Sequence, residues 1–255
     1  MNEEKKKHIP GIYNYCDRWC EKCSFTSYCL LFSNESKIAT FEILNDRLPE
    51  AEEIMDELFE TDEKEFEDEI DEGFSIEEPD EDFLFDNSDE DEEEMELEEN
   101  ENEHANLIED LSNEYLKQSQ VLIKSIDEKF NFSSTPKENL PMPQIKKIYD
   151  SFETVSWHHA FIFVKIKRAS QAKKEYLKYK DKDLKEFSKY DSDGTAKVAA
   201  LSIKNSIKAI TELQEYLPDY SVELLKLSSL LMRIFNELEV EFPGYKNFKR
   251  PGFDD

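Results

Sequence analysis

IYDSFETVSWHHAFIFVKI, residues 148–166, has its apolar side chains at the spacing of an α-helix. Steps of three, four or seven residues align one stripe of this helix, which consists of Ile148, Phe152, Val155, His159, Phe163 and Ile166. The opposite side also has bulky side chains, namely Trp157, Phe161 and Val164. The helix is therefore predicted to be buried on more than one face and to lie centrally. We predict that it begins at Pro143, whose missing N–H is harmless in a first turn, and continues to about Lys180.

Three further segments have the same periodicity: residues 105–130, a stretch from about Asp193 to Leu217, and a stretch from Ser221 to Pro243. Their apolar stripes, in chain order, are Ile108, Leu111, Tyr115, Leu122, Ile126 and Phe130; Ile203, Ile207, Ile210, Leu213 and Leu217; and Leu224, Leu227, Leu231, Ile234 and Leu238. Amphipathic helices joined by short turns need a shared core. We therefore predict a mainly α protein in which residues 105–255 form an antiparallel four-helix bundle. Its aromatic Pro-Gly tail is expected to pack back, either on the bundle or on the cysteine-containing loop.

The charge of the protein is confined to one region. The formal net charge is −29, and residues 51–103 hold 30 acidic residues against the single base Lys64. The remainder, with 31 acids and 31 bases, is neutral. Residues 47–104 are therefore an acidic segment, with a possible helix over 47–72. A disordered linker is predicted over 75–103, because like charges repel there and hydrophobic residues are too few to offset chain entropy.

The acidic segment has two interpretations. It is a solubilising spacer, or it is a docking arm in which Phe83-Leu84-Phe85 meets a basic surface of a protein partner or of the second helix. The net charge repels nucleic acid, and no run of about 18 apolar residues is present, so neither nucleic acid nor a membrane is an expected partner. The charged N terminus leads into no apolar run, which favours a cytoplasmic location. The oligomeric state is left open.

All four cysteines of the chain lie in one short motif within residues 1–46, a Cys-rich metal-binding module. Cys16, Cys20, Cys23 and Cys29 have the spacing C-x3-C-x2-C-x5-C. Structural disulfides need an oxidising compartment, and loops as short as that from Cys20 to Cys23 favour metal or redox chemistry. The four cysteines are therefore the predicted ligands of a metal centre.

Two kinds of metal centre compete for these ligands. A 4Fe–4S cluster is favoured, because a cubane is wide enough for closely spaced cysteines to surround it from one loop. Neighbouring aromatic residues would shield such a cluster from water, namely Tyr13, Tyr15, Trp19, Phe25 and Tyr28. Structural Zn²⁺ with four thiolates is the alternative, in which Cys20 and Cys23 form a zinc knuckle.

The C-x3-C-x2-C spacing of the first three cysteines resembles the cluster motif of radical S-adenosylmethionine enzymes. The resemblance covers Cys16 to Cys23 and then ends. Lys22 stands where that family has an aromatic residue, and Cys29 is available for the fourth iron, which that family leaves open for its cofactor. The chain also lacks the repeated strands and the glycines of the family's barrel, so no catalytic role is carried over.

The sequence offers no catalytic constellation, so an enzyme is not the favoured class. His158 and His159 lie in the second helix without the paired Glu-x-x-His motifs of di-iron bundles. We expect His159 to be a hydrogen-bonded core residue and leave a role for His158 open. The expected function is electron transfer or redox sensing by an iron–sulfur protein with a protein partner. The alternative is a non-enzymatic adaptor with a structural zinc site and an acidic docking arm.

Overall fold

The computed structural model describes residues 8–50, 53–54, 91–134 and 143–254, and for residues 91–106 it describes the backbone alone. Within these residues the protein is mainly helical and has no β-strand. The predicted mainly α class is confirmed. The chain divides into two compact units, Met1–Tyr13 with Cys20–Glu96 and Asn14–Trp19 with Leu97–Asp255.

The first unit contains one long described helix, α1 (Leu30–Asn45). Two single 3₁₀ turns precede it, Cys20–Lys22 and Thr26–Tyr28. Cys29 is the N-cap of α1, and Asp46 ends the helix in the left-handed conformation with φ 53°. No side chain of α1 is buried, so this helix adds nothing to a closed core.

The other long helices within the described residues are α2 (Asp91–Phe130), α3 (Pro143–Lys178), α4 (Lys182–Tyr216) and α5 (Ser221–Glu241). Local chemistry explains several of their ends. Asp181 caps α4, because its side chain accepts hydrogen bonds from the N–H groups of Asp183 and Leu184. Pro143 occupies the first position of α3, as predicted, and proline follows closely after the ends of α4 and α5.

One cluster of buried hydrophobic side chains draws on α2, α3, α4 and α5. The stripe predicted for α5 is buried in full: Leu224, Leu227, Leu231, Ile234 and Leu238. In α2, five of the six predicted stripe residues are buried, and Phe130 packs against them while partly exposed. The buried stripes of these two helices are therefore confirmed.

Two predicted helix boundaries are wrong. The helix expected to start near Asp193 begins eleven residues earlier, at Lys182. Gly194 therefore lies inside α4 rather than at its start. The buried residues of α4 that precede Asp193 are Ser188 and Ser192. Both are small and polar, so a search for apolar periodicity does not detect this part of the helix.

The helix expected to start at residue 105 begins at Asp91. Residues 91–103, which were predicted to belong to a disordered linker, are therefore helical. They form the N-terminal part of α2, ahead of its buried stripe. The rest of that linker, residues 75–90, lies outside the described residues. The possible helix over residues 47–72 also lies outside them, apart from residues 47–50 and 53–54.

The stripe predicted for α3 shifts by one residue in its middle. His158, which is 1% exposed, and Ile162 are buried, whereas His159 and Phe163 are only partly buried. A helix of 3.6 residues per turn permits a step of three or of four after Val155, and the spacing alone does not choose between them. The prediction that His159 is the core histidine is therefore wrong.

The aromatic tail packs on the second unit. Phe242, Tyr245 and Phe248 are buried, and Phe242 and Tyr245 join the main hydrophobic cluster. A 3₁₀ segment, Pro243–Lys246, turns the chain after α5. The expectation that the tail packs back on the folded protein is confirmed.

Candidate metal centre

The four predicted ligands are distributed over both units. Cys16 belongs to the second unit, and Cys20, Cys23 and Cys29 belong to the first. All four are partly exposed, and within the described residues none forms a disulfide. The 3₁₀ turn at Cys20 brings the chain back on itself, so that the N–H of Cys23 donates to the carbonyl oxygen of Cys20 at 3.2 Å.

Backbone N–H groups donate hydrogen bonds to cysteine sulfur atoms of the motif. The N–H of Phe25 donates to Cys23 Sγ at 3.4 Å, and the N–H of Phe32 donates to Cys29 Sγ at 3.5 Å. A backbone hydrogen bond from Arg18 likewise acts to lower the pKa of the Cys16 thiol. Each donor follows its cysteine by two or three residues, so these bonds are local products of the turns. Bonds of this kind stabilise metal-bound thiolate and contribute to the potential of an iron–sulfur cluster.

Cys29 has a second favourable feature, because it caps the N terminus of α1. The N–H that reaches its sulfur comes from the first turn of that helix. Unpaired N–H groups and the positive end of the helix dipole attract negative charge at this position. A metal-bound sulfur at Cys29 therefore lies in a favourable field.

The thiol of Cys16 is partly removed from water. Burial raises the pKa of the Cys16 thiol, and this effect outweighs the opposing influence of the Arg18 N–H and of the positive charges of Lys165 and Arg18. A metal that binds here must displace the thiol proton. Arg18 itself adopts the left-handed conformation with φ 58°, an uncommon one for a side chain of its size, which closes the turn around Cys16.

The segment that contains Cys16 is anchored by tryptophan. Trp19 stacks on Trp157 of α3 with 5.2 Å between ring centroids and an interplanar angle of 13°. Trp157 Nε1–H also donates to the carbonyl oxygen of Asp17 at 2.9 Å. The backbone around Cys16 is thus held by both the ring and the polar tip of Trp157.

Tyr15 provides the second anchor. Its ring lies edge-on to Phe248, with centroids 4.8 Å apart. Its hydroxyl donates to Asp191 Oδ1 at 3.3 Å, and the same carboxylate accepts hydrogen bonds from the guanidinium of Arg168 at 2.7 and 3.1 Å. Burial, followed by the charge of Asp191, raises the pKa of Tyr15 well above its ordinary value. Tyr15 therefore remains a neutral donor to this carboxylate.

His158 and His159 of α3 take no part in a recognisable ligand set. His158 lies edge-on to Trp19, with centroids 5.9 Å apart, and so supports the same anchor. His159 places Nδ1 2.6 Å from the carbonyl oxygen of Ser156 in its own helix. Among the described residues, no three side chains of His, Cys, Asp or Glu are arranged as ligands of one metal ion.

Sequence reasoning missed the burial of Lys165 and missed Asp191 as the hydrogen-bond partner of Tyr15. Lys165 interrupts the most apolar part of α3 and is only 8% exposed, and that interruption was the available indication. Asp191 is 176 residues from Tyr15 in the chain, so no local pattern connects the two residues.

In comparisons with known proteins, no protein-family model, curated protein or solved structure matches this chain. In the part of the chain that the structure describes, every helix is too short or too polar to cross a membrane.

Proposed function

We propose that this protein binds a 4Fe–4S cluster through Cys16, Cys20, Cys23 and Cys29, and that it transfers electrons to, or senses redox state for, a protein partner. The observation that carries the proposal is the set of backbone N–H bonds to the sulfur atoms of Cys16, Cys23 and Cys29. Amide donors aimed at several sulfurs of one short motif suit thiolates held by a metal.

The surroundings of the motif favour a cluster over a single ion. Tyr15 and Trp19 are buried beside Cys16, and Tyr13 and Phe25 are partly buried, whereas Tyr28 is 37% exposed. Aromatic side chains that limit access of water are one of the means by which a protein sets a cluster's potential. Cys16, Cys20, Cys23 and Cys29 would hold the cluster, and a bound cluster would supply one-electron chemistry for exchange with a protein partner or for redox sensing.

The remaining features are assigned as follows. We infer that α2, α3, α4 and α5 are arranged as an antiparallel four-helix bundle, because their buried stripes share one hydrophobic cluster and short connections join α3 to α4 and α4 to α5. The acidic segment, residues 47–104, would serve as the arm that steers a protein partner through its charge. A cytoplasmic location agrees with thiols that must stay reduced to bind metal.

A structural zinc site in an adaptor protein is the second candidate. The tight turn between Cys20 and Cys23, followed by the N–H of Phe25 on the second sulfur, is also the arrangement of a zinc knuckle. In that case the four thiolates stabilise the fold, and binding of the partner belongs to the helices and to the acidic arm.

Anaerobic purification of the full chain distinguishes the two candidates. A cluster should give brown protein with absorbance near about 400 nm and about four iron and four sulfide ions per chain. Zinc should give colourless protein with about one zinc ion per chain. Protein that holds neither metal, after reconstitution with iron and sulfide and separately with Zn²⁺, would contradict both.

Substitution of a ligand tests the assignment of the motif. Cys20→Ser should lose most of the bound metal, because a neutral hydroxyl is a poor ligand for either centre. Ser27→Ala is the matched control, since it removes a hydroxyl from an exposed position of the same segment. Undiminished metal content in Cys20→Ser would exclude Cys20 as a ligand.

A further inference from the structure

A groove of about 710 Å³ runs along one face of α1 in the first unit. Its other wall includes His8 and the 3₁₀ turn at Thr26 and Ser27. The N–H of Ile9 donates to the carbonyl oxygen of Tyr28 at 3.0 Å, which holds the N-terminal segment beside that turn. The α1 residues along the groove recur at helical spacing and so share one face of the helix, namely Ser33, Ser36, Lys37, Thr40, Phe41 and Leu44.

The groove face of α1 leaves apolar side chains in contact with water. None of the side chains of α1 is buried, and Leu44 is 77% exposed beside the partly buried Phe41. A helix of about 16 residues is only marginally stable in water by itself, because most helical stability in proteins comes from the packing of an apolar face. The groove is therefore the expected place for a segment that covers this face.

The charge of the groove favours an acidic occupant. Lys37 and His8 are basic, and no carboxylate is found among the described residues that line the groove. The acids of α1, Glu35 and Glu42, stand two residues from Lys37 and Leu44. Two residues correspond to about 200° around a helix, so both acids lie on the opposite side. An apolar segment flanked by carboxylates therefore complements the groove.

The acidic segment already contacts α1 where the structure describes it. Arg47 follows α1, and its guanidinium lies 5.0 Å from the centre of the Phe41 ring. The carboxylate of Glu53 accepts two hydrogen bonds from this guanidinium, at 2.6 and 2.8 Å. A carboxylate of the acidic segment is thus bound, through Arg47, against a residue that lines the groove.

We propose that the groove along α1 binds the apolar triplet Phe83-Leu84-Phe85 of the same chain, with the flanking Asp82 and Asp86 near Lys37 and His8. The triplet lies outside the described residues, in the stretch between residues 54 and 91. About 30 residues separate it from Glu53, and an extended chain of that length spans about 100 Å, so the triplet can reach the groove. The tether also gives the triplet an effective concentration in the millimolar range, which an unlinked acidic peptide lacks.

This contact goes beyond the proposed function, because it gives the acidic segment a binding site on its own chain. A protein partner that uses the segment must then displace the triplet from α1. The contact needs no metal at the cysteines, since every residue that forms the described groove contributes through apolar surface, hydroxyl groups or positive charge.

The first test measures the rate at which chymotrypsin cleaves the full chain after Phe83 and Phe85, followed by mass spectrometry. Leu44→Glu places a carboxylate in the groove, and Lys37→Glu reverses the charge of its lining. Ile43→Glu is the matched control, because residue 43 is 83% exposed on the same helix and is not among the residues that line the groove.

Cleavage of Leu44→Glu and of Lys37→Glu should be about tenfold faster than cleavage of the wild type, because a docked segment is cut only after it opens. Ile43→Glu should be cleaved at the wild-type rate. An increase in salt from about 0.05 M to about 0.5 M should accelerate cleavage of the wild type relative to Leu44→Glu, since salt screens the contact between charges. Equal rates in all four proteins would overturn the inference.

The second test uses a fluorescein-labelled peptide of residues 78–90 and fluorescence anisotropy. The peptide should bind a full chain that carries Phe83→Ser, Leu84→Ser and Phe85→Ser at least about tenfold more tightly than it binds the wild type, in which the tethered triplet competes. Addition of Leu44→Glu to the triple variant should abolish this binding. A peptide that fails to bind the triple variant would overturn the inference.

The oligomeric source of the triplet is decided by protein concentration. Protection from chymotrypsin that is independent of concentration supports the contact within one chain. Protection that rises with concentration would place the triplet of a second copy in the groove and overturn the proposed contact. None of these results depends on the metal content of the protein, so their failure would leave the proposed function standing.

Discussion

The ring of Tyr15 lies so close to Gly194 that a β-carbon on residue 194 would be 2.5 Å from Tyr15 Cε1. The same β-carbon would be 2.6 Å from Cζ of Phe248. Gly194 is inside α4, where glycine costs about 1 kcal/mol relative to alanine. Because Gly194 has no side chain, the ring of Tyr15 fits against α4 at this point. Tyr15 directly precedes Cys16, the first cysteine of the motif.

Gly194→Ala should destabilise the protein by about 1–3 kcal/mol, because the new methyl group forces Tyr15 or Phe248 out of place. Helix propensity alone predicts the opposite, a gain of about 1 kcal/mol. Urea denaturation followed by circular dichroism measures the change. In a Tyr15→Ala background the penalty should shrink, and a Gly194→Ala protein more stable than wild type would contradict the described contact.

Trp157→Phe should loosen the segment around Cys16. The substitution retains an aromatic ring but removes the N–H that bonds to the carbonyl oxygen of Asp17, at a cost of about 1 kcal/mol. The chain has only two tryptophans, and they form this stacked pair, so intrinsic fluorescence reports directly on the anchor. We expect red-shifted emission from Trp19 and lower metal retention.

Trp19→Phe is the matched variant for that experiment, since it keeps the bond from Trp157 to Asp17. It should retain more metal than Trp157→Phe. Equal losses in the two variants would assign the anchoring to ring stacking alone and contradict a role for the hydrogen bond.

Phe248→Ala should lower the free energy of unfolding by about 3 kcal/mol, because the ring is 8% exposed and packs against Tyr15 and Tyr190. Phe187→Ala makes the same chemical change at a side chain that is 69% exposed, and it should leave stability almost unchanged. Equal stability of the two variants would show that the tail contributes no packing energy.

The ion pair between Arg250 and Asp254 in the tail should make the stability of the protein depend on pH. Hydrogen bonds from the Arg250 guanidinium lower the pKa of the Asp254 carboxyl below its ordinary value. The pair therefore contributes its full stability above the unfolded-state pKa of about 3.9, and the contribution disappears as the pH falls through the lower folded-state value.

Asp254→Asn is the variant that tests this pair. At pH 6 the wild type should have a Tm about 2 °C above that of Asp254→Asn, and the difference should close in acid. Arg250→Gln should abolish the same pH dependence. A Tm difference that persists unchanged below pH 3 would contradict the assignment.

Much of the helical unit was predictable because its information is local. In α5 every third or fourth residue is apolar, and all five predicted positions are buried. The start of α4 was not predictable in the same way, since Ser188 and Ser192 are buried without being apolar. The choice between His158 and His159 also needed the structure, because the helical repeat permits either step after Val155.

The sequence and the tertiary structure account for different features of the candidate site. The sequence by itself determined the four thiols, their spacing, the helical segments and the confinement of negative charge to one region, because these depend on neighbours along the chain. Only the tertiary structure decided that Tyr15 sits on Gly194, that Trp157 holds Asp17 and that Tyr15 donates to Asp191. Those relationships join residues more than a hundred positions apart, and the packing of helices rather than any local pattern brings them together.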